Sequence, residues 1–324
     1  MEQAGISTGS VMNYDLKNIN CNLCGEHNTR LYAKVSYADC LNRRPELKSD
    51  NDPIIKDEEL ANYQFSIVKC KNCEMVYVDP RLASKDLAEL YKEEYFSNYI
   101  DTTSEAHKRR QETFKAEIAE LEYITEQLGL GRKILDVGCG GGFFLDSLNN
   151  SWEKHGTEIN QIAVNHGREK FGINILKGSL REIDYPDEMF DVVKMRGSIE
   201  HLPDPISELR EVSRIMSAGG LVAINTLNID SICGRIYKEK FRMVCPVHHI
   251  YYFSTKTLSQ MLRKVGFRIC KVSYHYFDTP YASWLDTLRI LYDVVSLRVV
   301  RKRYTVSPSF YGNIIDVYAV KDKL

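Results

Sequence analysis

The sequence predicts an α/β fold in which a mostly parallel sheet is covered by helices and preceded by a small cysteine-bearing module. Two observations lead to this prediction. From residue 132 onward, short apolar runs alternate with helical patterns, which is the signature of βαβ units. Before residue 100, four cysteines form two C-x-x-C pairs among short β-rich runs and polar stretches.

Composition places the 324-residue chain among ordinary globular proteins, with 44% hydrophobic and 27% charged residues. The formal net charge of −1 gives no overall basic field, so no nucleic-acid partner is expected. The first residues lack a basic start followed by an apolar run, and no stretch reaches the ~18–20 apolar residues of a membrane span. Nine cysteines without a secretory signal argue for a reducing compartment, and we expect a cytoplasmic protein.

The elements follow in a regular order. A charged helical pattern begins at Ser104 and ends at Gly129 or Gly131. Five predicted strands come next, separated by helical or polar segments: "KILDV", "KHGTEI", "INILKGSL", "FDVVKMRG" and "GGLVAINTL". The closing run "NIIDVYAVKDK" is predicted to lie antiparallel beside "FRICKVSYHY".

Changes in composition divide the chain into four segments. Residues 1–13 are polar and expected to be flexible, and residues 14–100 form the cysteine-bearing module. Residues 101–275 form the main domain, which residues 276–324 complete with an amphipathic helix and a final antiparallel strand. We expect the module and the main domain to have separate hydrophobic cores.

The turn "LDVGCGGG" after the first predicted strand indicates close approach of a ligand to the backbone, because clustered glycines permit φ > 0. A dinucleotide fingerprint would need a small residue at position 143, which is Phe, and no Gly-Lys-Ser/Thr follows for a P-loop. Asp136 directly before the glycines would repel pyrophosphate and favours a ligand with positive charge. Glu158, 22 residues later, ends the next strand, where a carboxylate can bind two ribose hydroxyls.

These residues resemble the class I S-adenosylmethionine-dependent methyltransferases. "LDVGCGGG" is similar to that family's first motif, and "FDVVKMRGSIEHLPDP" with "GGLVAINTLN" is similar to its fourth and fifth strands, so the resemblance covers roughly residues 110–275. It implies a Rossmann-like seven-stranded sheet and an S-adenosylmethionine-binding methyltransferase domain over 101–275. The site residues it implies are Asp136, Gly138 and Gly140 on the methionine part, Glu158 on the ribose, and Cys139, Ser179 and Arg196 completing the cofactor site. Ser179 stands where the family usually has an Asp for the adenine amino group.

Cys21 and Cys24 form one C-x-x-C pair and Cys70 and Cys73 the other. Four thiolates in two chelating pairs can build a tetrahedral, structural zinc site with no open position for water. Gly25 follows the first pair, where a left-handed backbone is often needed, whereas Glu74 follows the second. The pattern resembles a zinc-ribbon-like module in one branch of these methyltransferases, which includes enzymes acting on nucleotide-linked sugars. Two alternatives remain: buried thiols without metal, or a redox dithiol.

Candidates for catalysis follow the fourth and fifth strands, at the edge where α/β sheets bind ligands. Glu200 and His201 begin the loop after the fourth strand, and His201 is either a general base or a structural part of the pocket. His249 in "CPVHHIYYFS" is a second candidate base or a structural histidine. Residues 228–247, inserted after the fifth strand, are expected to contribute to a lid that selects substrates.

The segment 284–303 places apolar residues at helical spacing and ends in Arg298, Arg301, Lys302 and Arg303. One interpretation is an interfacial helix at an anionic membrane, and the other, which the sequence favours, is a helix packed on its own domain or across a homodimer.

The sequence as a whole favours an S-adenosylmethionine-dependent methyltransferase with a structural zinc ion, acting on oxygen or carbon of a small-molecule biosynthetic intermediate such as a sugar or nucleotide sugar. Two alternatives stay open. One is methylation of a lipid or lipid-linked acceptor. The other is a non-catalytic binding protein that keeps the cofactor fold while its zinc module recruits a partner.

Overall fold

The structure is a computed structural model that describes residues 10–11, 14–43, 57–89, 105–299 and 306–322. Of the segment 1–13, only Ser10–Val11 are described, and they form a strand; residues 301–303 of the basic run lie outside the described ranges. The N-terminal elements are β1 (Ser10–Val11), β2 (Tyr14–Lys17), β3 (Thr29–Val35), α1 (Tyr37–Arg43), α2 (Glu58–Asn62), β4 (Phe65–Cys70), β5 (Val76–Val78), β6 (Arg81–Leu82) and α3 (Ser84–Glu89).

The remaining elements begin with a long helix and then alternate between strand and helix. In order they are α4 (Glu105–Gln127), β7 (Lys133–Val137), α5 (Phe143–Ser147), β8 (Glu153–Glu158), α6 (Gln161–Phe171), β9 (Asn174–Lys177), α7 (Leu180–Ile183), β10 (Phe190–Arg196), α8 (Pro205–Ile215), β11 (Met216–Leu227), α9 (Ile232–Tyr237), β12 (Tyr251–Tyr252), α10 (Thr255–Lys264), β13 (Phe267–Ser273), α11 (Trp284–Val299) and β14 (Ile314–Lys321). Each strand that the sequence predicts is present.

The main sheet has seven strands in the order β13-β14-β11-β10-β7-β8-β9, which confirms the predicted seven-stranded α/β sheet. Strands β7 to β11 pair in parallel, whereas β14 runs antiparallel to both β11 and β13. The strand order reverses direction at β7, because β8 lies on one side of it and β10 on the other. Ligands of open α/β sheets bind at such a point, outside the carboxyl ends of the strands.

Local sequence explains where the helices of this sheet begin and end. The side chain of Asn160 caps α6 by accepting the N–H groups of Ile162 and Ala163, at 2.9 and 3.1 Å. Gly172 ends the same helix in a left-handed conformation with φ of 66°. Asp204 caps α8, which begins with Pro205, the residue type favoured at the first helical position.

The N-terminal region and the main domain share a sheet. Strand β12, which follows the main domain's fifth parallel strand, pairs antiparallel with β5 and completes a four-stranded sheet in the order β12-β5-β4-β3. Buried side chains of both regions form one continuous hydrophobic cluster, from Phe65 and Tyr77 to Tyr252 and Leu258. The expectation of two separate cores is therefore wrong, because two residues of the main domain supply an edge strand that the short β5 lacks.

The segment 228–247 packs against the N-terminal region rather than forming an isolated insertion. The hydroxyl of Tyr32 donates to the carbonyl of Gly234 at 3.2 Å, and the thiol of Cys40 donates to the carbonyl of Val244 at 3.3 Å. Helix α11 packs through Ile290, whereas its other side is exposed. The large exposed side chains on α11 are Trp284, Leu285, Leu288, Leu291, Tyr292 and Val295.

Candidate active site

The glycine-rich turn joins β7 to α5 at the carboxyl edge of the sheet. Gly138, Gly140 and Gly142 all have positive φ, at 74°, 55° and 82°. A Cβ added to Gly138 would lie 3.0 Å from the Cβ of Ser198, so both the conformation and the space require glycine there. The turn therefore brings backbone N–H groups close to whatever binds at this edge.

Asp136 lies on β7, beneath this turn. It is 2% exposed, and its Oδ1 has no hydrogen-bond partner in the described part of the chain. Burial raises the pKa of Asp136 to about 7, against the opposing effect of Lys194 and Arg196. A buried carboxylate oxygen without a donor is the group that a cationic ligand would satisfy.

Glu158 ends β8 next to the same turn. Its Oε2 accepts the N–H of Gly140 at 2.9 Å and its Oε1 accepts the N–H of Asn160 at 2.9 Å. Burial raises the pKa of Glu158, although these backbone donors oppose the shift. A carboxylate has about four lone-pair sites. The N–H of Ile159 also acts on this carboxylate, so the backbone donors leave part of its acceptor capacity for ligand hydroxyls.

Two other residues expected at the cofactor site have partners within the protein. Ser179 precedes α7, and its hydroxyl donates to Glu182 at 2.8 Å. Arg196 ends β10, and its guanidinium makes hydrogen bonds of 3.0–3.1 Å to the carboxylate of Glu117 on α4. The ring of Phe114 lies 4.8 Å from the guanidinium carbon. Arg196 thus links α4 to the carboxyl end of β10 through this ion pair.

The sequence reasoning missed a buried charge network below this edge. Lys194 is 1% exposed, and its Nζ lies 3.1 Å from Glu117 and 3.9 Å from Asp316. Burial would raise the pKa of Glu117, but Arg196 and Lys194 lower it to about 2. The signal in the sequence was the single lysine inside the apolar strand "FDVVKM".

Glu200, His201 and His249 come together after β10, although they are distant in the sequence. Glu200 and His201 lie in the 3₁₀ turn Ile199–His201, and each of the three residues offers one ligand atom within 4.8 Å of the others. The rings of His201 and His249 have centroids 4.9 Å apart. Burial lowers the pKa of His201 to about 4 and raises the pKa of Glu200. His201 is therefore neutral at physiological pH.

Hydrogen bonds fix the orientation of all three side chains. Nδ1 of His201 donates to the carbonyl of His248 at 2.8 Å, and Nδ1 of His249 donates to the carbonyl of Met243 at 2.6 Å. The hydroxyl of Thr226 donates to Oε2 of Glu200 at 2.8 Å. Because carbonyl oxygens only accept, Nδ1 carries the proton in both rings, and the neutral form of each ring has its lone pair on Nε2.

The four cysteines of the two C-x-x-C pairs also converge. Their sulfur atoms all lie within 4.8 Å of one another, with Cys21 and Cys73 at 3.3 Å and Cys24 and Cys70 at 3.6 Å. Four thiolates around zinc, with bonds of about 2.3 Å, lie about 3.8 Å apart, so this cluster has the size of a tetrahedral zinc site. None of the nine cysteines forms a disulfide.

The turns after the two cysteine pairs have the same shape. Gly25 donates its N–H to the carbonyl of Cys21 at 2.7 Å, and Glu74 donates its N–H to the carbonyl of Cys70 at 3.1 Å. Gly25 has φ of 86°, and Glu74 adopts φ of 69° although it is not glycine. The departure from the pattern at position 74 is thus accommodated, with the Glu74 carboxylate paired to Lys69 at 3.3 Å and to Lys256.

Comparison with known proteins adds independent information. The profile of a family described as "Methyltransferase domain" matches residues 105–272. An uncharacterized protein of Methanocaldococcus jannaschii is 26% identical over 159 residues, which are 49% of this chain and 75% of that protein. Ubiquinone biosynthesis O-methyltransferase of Aeromonas salmonicida is 34% identical over 124 residues, which are 33% of this chain and 49% of that enzyme. This chain spans about half the length of the ubiquinone enzymes it matches.

Among solved structures, a SAM-dependent methyltransferase from Archaeoglobus fulgidus is 23% identical, and the alignment covers 64% of this chain and 94% of that chain with a TM-score of 0.44. Within the described ranges, no helix is both long enough and apolar enough to cross a membrane.

Proposed function

The chain belongs to the methyltransferase family and contains an S-adenosylmethionine-dependent methyltransferase domain, and on this premise we propose that the whole protein transfers a methyl group to oxygen or carbon of a small-molecule biosynthetic intermediate. The observation that carries the proposal is the pair of buried carboxylates, Asp136 and Glu158, on either side of the glycine turn.

The residues present fit S-adenosylmethionine. Asp136, with its unsatisfied Oδ1, would hold the cationic methionine part beside Gly138 and Gly140. Glu158 would accept the ribose hydroxyls with the lone pairs that the backbone leaves open. The cofactor would be bordered by Cys139, Ser179 and Arg196. The guanidinium of Arg196 bonds to Glu117, so Arg196 would shape the site without holding the cofactor directly. When bound, the cofactor supplies an electrophilic methyl group whose carbon–sulfur bond breaks as the acceptor atom bonds to the methyl carbon.

Glu200, His201 and His249 supply the groups that remove the acceptor's proton. A hydroxyl or carbon acid must lose its proton as it attacks, and a base must stand within hydrogen-bond reach of it. Nε2 of His201 is the first candidate acceptor, because its Nδ1 is committed to the carbonyl of His248. His249 is the second, and its ring lies at 70° to that of His201, in a T-shaped arrangement.

We propose that the four cysteines hold one structural zinc ion. The size of the sulfur cluster and the matching turns after Cys21 and Cys70 support this role. Four thiolates leave no open coordination position, so the ion would stabilise the fold and take no part in methyl transfer. Nine cysteines without a disulfide support a reducing compartment, the cytoplasm.

A lipid-linked acceptor is the second candidate, and the surroundings of α11 favour it. One side of this helix exposes six apolar side chains, among them Trp284, which is 71% exposed. The same helix borders a cleft of about 400 Å³ whose lining includes Arg43, Arg109, Arg242 and Arg289. An apolar face beside an arginine-lined cleft suits a lipid that carries phosphate, whereas the cleft alone suits the diphosphate of a nucleotide sugar.

The exposed apolar side of α11 also indicates which partners the protein has. A peripheral contact between 284–303 and an anionic membrane would cover it with lipid, and a homodimer would cover it with a second copy. Aromatic residues at an apolar face followed by a basic run are typical of interfacial helices, which supports the membrane contact.

The test is the formation of S-adenosylhomocysteine. The purified chain is incubated with S-adenosylmethionine and candidate acceptors, namely nucleotide sugars, free sugars and polyprenyl-linked sugars in detergent. We expect product with one class only. Cofactor binding by calorimetry without turnover on any acceptor would instead favour the non-catalytic binding protein, and the absence of cofactor binding would refute the proposal.

A further inference from the structure

We infer that Glu200, His201 and His249 together bind a divalent transition-metal ion, at a site separate from the four cysteines. The inference deepens the proposed function, on which it rests only for its catalytic consequence. The cluster follows the carboxyl end of β10, close to the glycine turn: Ser198, just before the 3₁₀ turn, is near enough to Gly138 that a Cβ added to this glycine would lie 3.0 Å from the Cβ of Ser198.

The first argument is the spacing and type of the ligand atoms. One atom from each of the three side chains lies within 4.8 Å of the other two, so small side-chain movements bring all three around one ion. Two imidazoles and one carboxylate form the donor set of many zinc and iron sites, whereas magnesium and calcium prefer sites made of oxygen alone. The donor set therefore selects a transition metal.

The second argument is the pattern of hydrogen bonds behind the ligands. Both histidines donate Nδ1–H to a backbone carbonyl, which leaves the Nε2 lone pair of each ring as the metal-binding atom. Metal-bound histidines in proteins almost always donate their other N–H in this way. The hydroxyl of Thr226 holds Glu200 by one carboxylate oxygen, and the other can bind the ion.

The third argument is that the two segments carrying the ligands are joined to each other. The N–H of Ile250 donates to the carbonyl of Glu200 at 3.0 Å, and His201 is bonded to the carbonyl of His248. The turn with Glu200 and His201 and the segment with His249 therefore hold a fixed relative position before any ion binds. Preorganised ligands of this kind reduce the entropy lost on binding.

Three protein ligands leave coordination positions open, as in catalytic metal sites. An acceptor hydroxyl that contacts the ion has a lowered pKa and can release its proton to solvent before it attacks the methyl carbon. In that state Nε2 of His201 is a ligand and cannot also accept the proton. The ion and the ring thus provide two alternative routes for proton removal, and they differ in their response to a chelator.

The experiment counts metal in the full-length protein. After purification with zinc in the buffer, the wild-type chain should contain about two equivalents, one in the cysteine cluster and one at Glu200, His201 and His249. His201→Ala and His249→Ala should each contain about one. His155→Ala, which removes a buried histidine of β8 outside the cluster, should retain both.

Cobalt substitution gives a second measurement that does not depend on variants. Cobalt in the cysteine cluster produces intense thiolate-to-metal charge-transfer absorption, whereas a histidine and carboxylate site produces only weak d–d bands. We expect titration to fill both kinds of site. A wild-type chain that takes up no further cobalt once the charge-transfer absorption has reached its maximum, or His201→Ala and His249→Ala chains that keep the second equivalent, would overturn the inference.

Different results would refute the metal site and the proposed function. A second equivalent of metal without S-adenosylhomocysteine binding would leave the inference standing and refute the methyltransferase. Turnover that continues unchanged after a mild chelator removes any second equivalent would refute the catalytic role of the ion. His201 would then be the group that accepts the proton.

Discussion

Replacing Glu158 by Gln tests the assignment of the cofactor site with little change in shape. The glutamate accepts one backbone N–H on each oxygen, from Gly140 and Asn160. A glutamine offers one acceptor oxygen, so its NH₂ group meets one of these donors and its neutral oxygen has less capacity for ribose hydroxyls. Losing a hydrogen bond to a charged group costs about 1.5–3 kcal/mol.

This cost corresponds to a Kd for S-adenosylhomocysteine that rises roughly 10- to 140-fold, because each 1.4 kcal/mol is about tenfold. Isothermal titration calorimetry at constant pH measures it directly. The matched control is Glu153→Gln at the other end of β8, where the carboxylate is 59% exposed and pairs with Lys133 and His155. The control should bind like the wild type, and both variants should unfold cooperatively.

Two results would contradict the reasoning. A Glu158→Gln chain with wild-type affinity would show that the carboxylate does not contact the cofactor. Equal weakening in Glu153→Gln would show that the effect comes from strand β8 as a whole.

Four further predictions follow from other parts of the structure. Because burial holds the pKa of Asp136 near 7, Asp136 must release a proton to bind a cationic cofactor at lower pH. The affinity for S-adenosylmethionine, measured by calorimetry, should therefore fall by up to about tenfold per pH unit below pH 7, and Asp136→Asn should abolish this pH dependence. Cys70→Ser should lower the zinc content by about one equivalent and reduce the Tm of the whole chain in a single transition, since the core is continuous. A hydrogen bond to Glu120 raises the pKa of His275 to about 9, so the protonated histidine stabilises the fold fully below pH 6.5, and this contribution is lost as the pH rises to 9. In urea unfolding, the free energies of unfolding of the wild type and of His275→Asn should differ by roughly 2–3 kcal/mol at most below pH 6.5 and become equal at high pH. Leu288→Glu should reduce co-sedimentation with anionic phospholipid vesicles severalfold, and a wild-type chain that stays in the supernatant would refute the membrane contact.

The sequence was informative where function and local conformation depend on the same residues. The glycines after β7 need positive φ, and Asp136 and Glu158 end or nearly end strands, so their meeting at one sheet edge follows from parallel topology. The alternation of strands and helices likewise predicted the five parallel strands of the main sheet. The two closing runs were predicted as an antiparallel pair, and the antiparallel pairing of β13 with β14 is confirmed.

Contacts between distant segments were harder to predict. Strand β12 has two residues, and its pairing with β5 leaves no periodicity to detect. Lys194 stood out as a charge in an apolar strand, but its partner Glu117 lies 77 residues earlier on a helix whose face the sequence does not specify. The approach of His249 to His201 depends on the path of the segment 228–247, which is determined by packing against the N-terminal region.

The pairing of β12 with β5 has a consequence for synthesis on the ribosome. Residues 14–89 emerge well before Tyr251 and Tyr252, so the growing chain contains β3, β4 and β5 with β5 as an uncovered edge. Open strand edges with apolar side chains tend to pair with other chains, and all three residues of β5 are buried in the finished protein. A nascent chain that pauses before residue 250 would therefore be prone to aggregate, and a truncated chain ending near residue 100 would have the same exposed edge permanently.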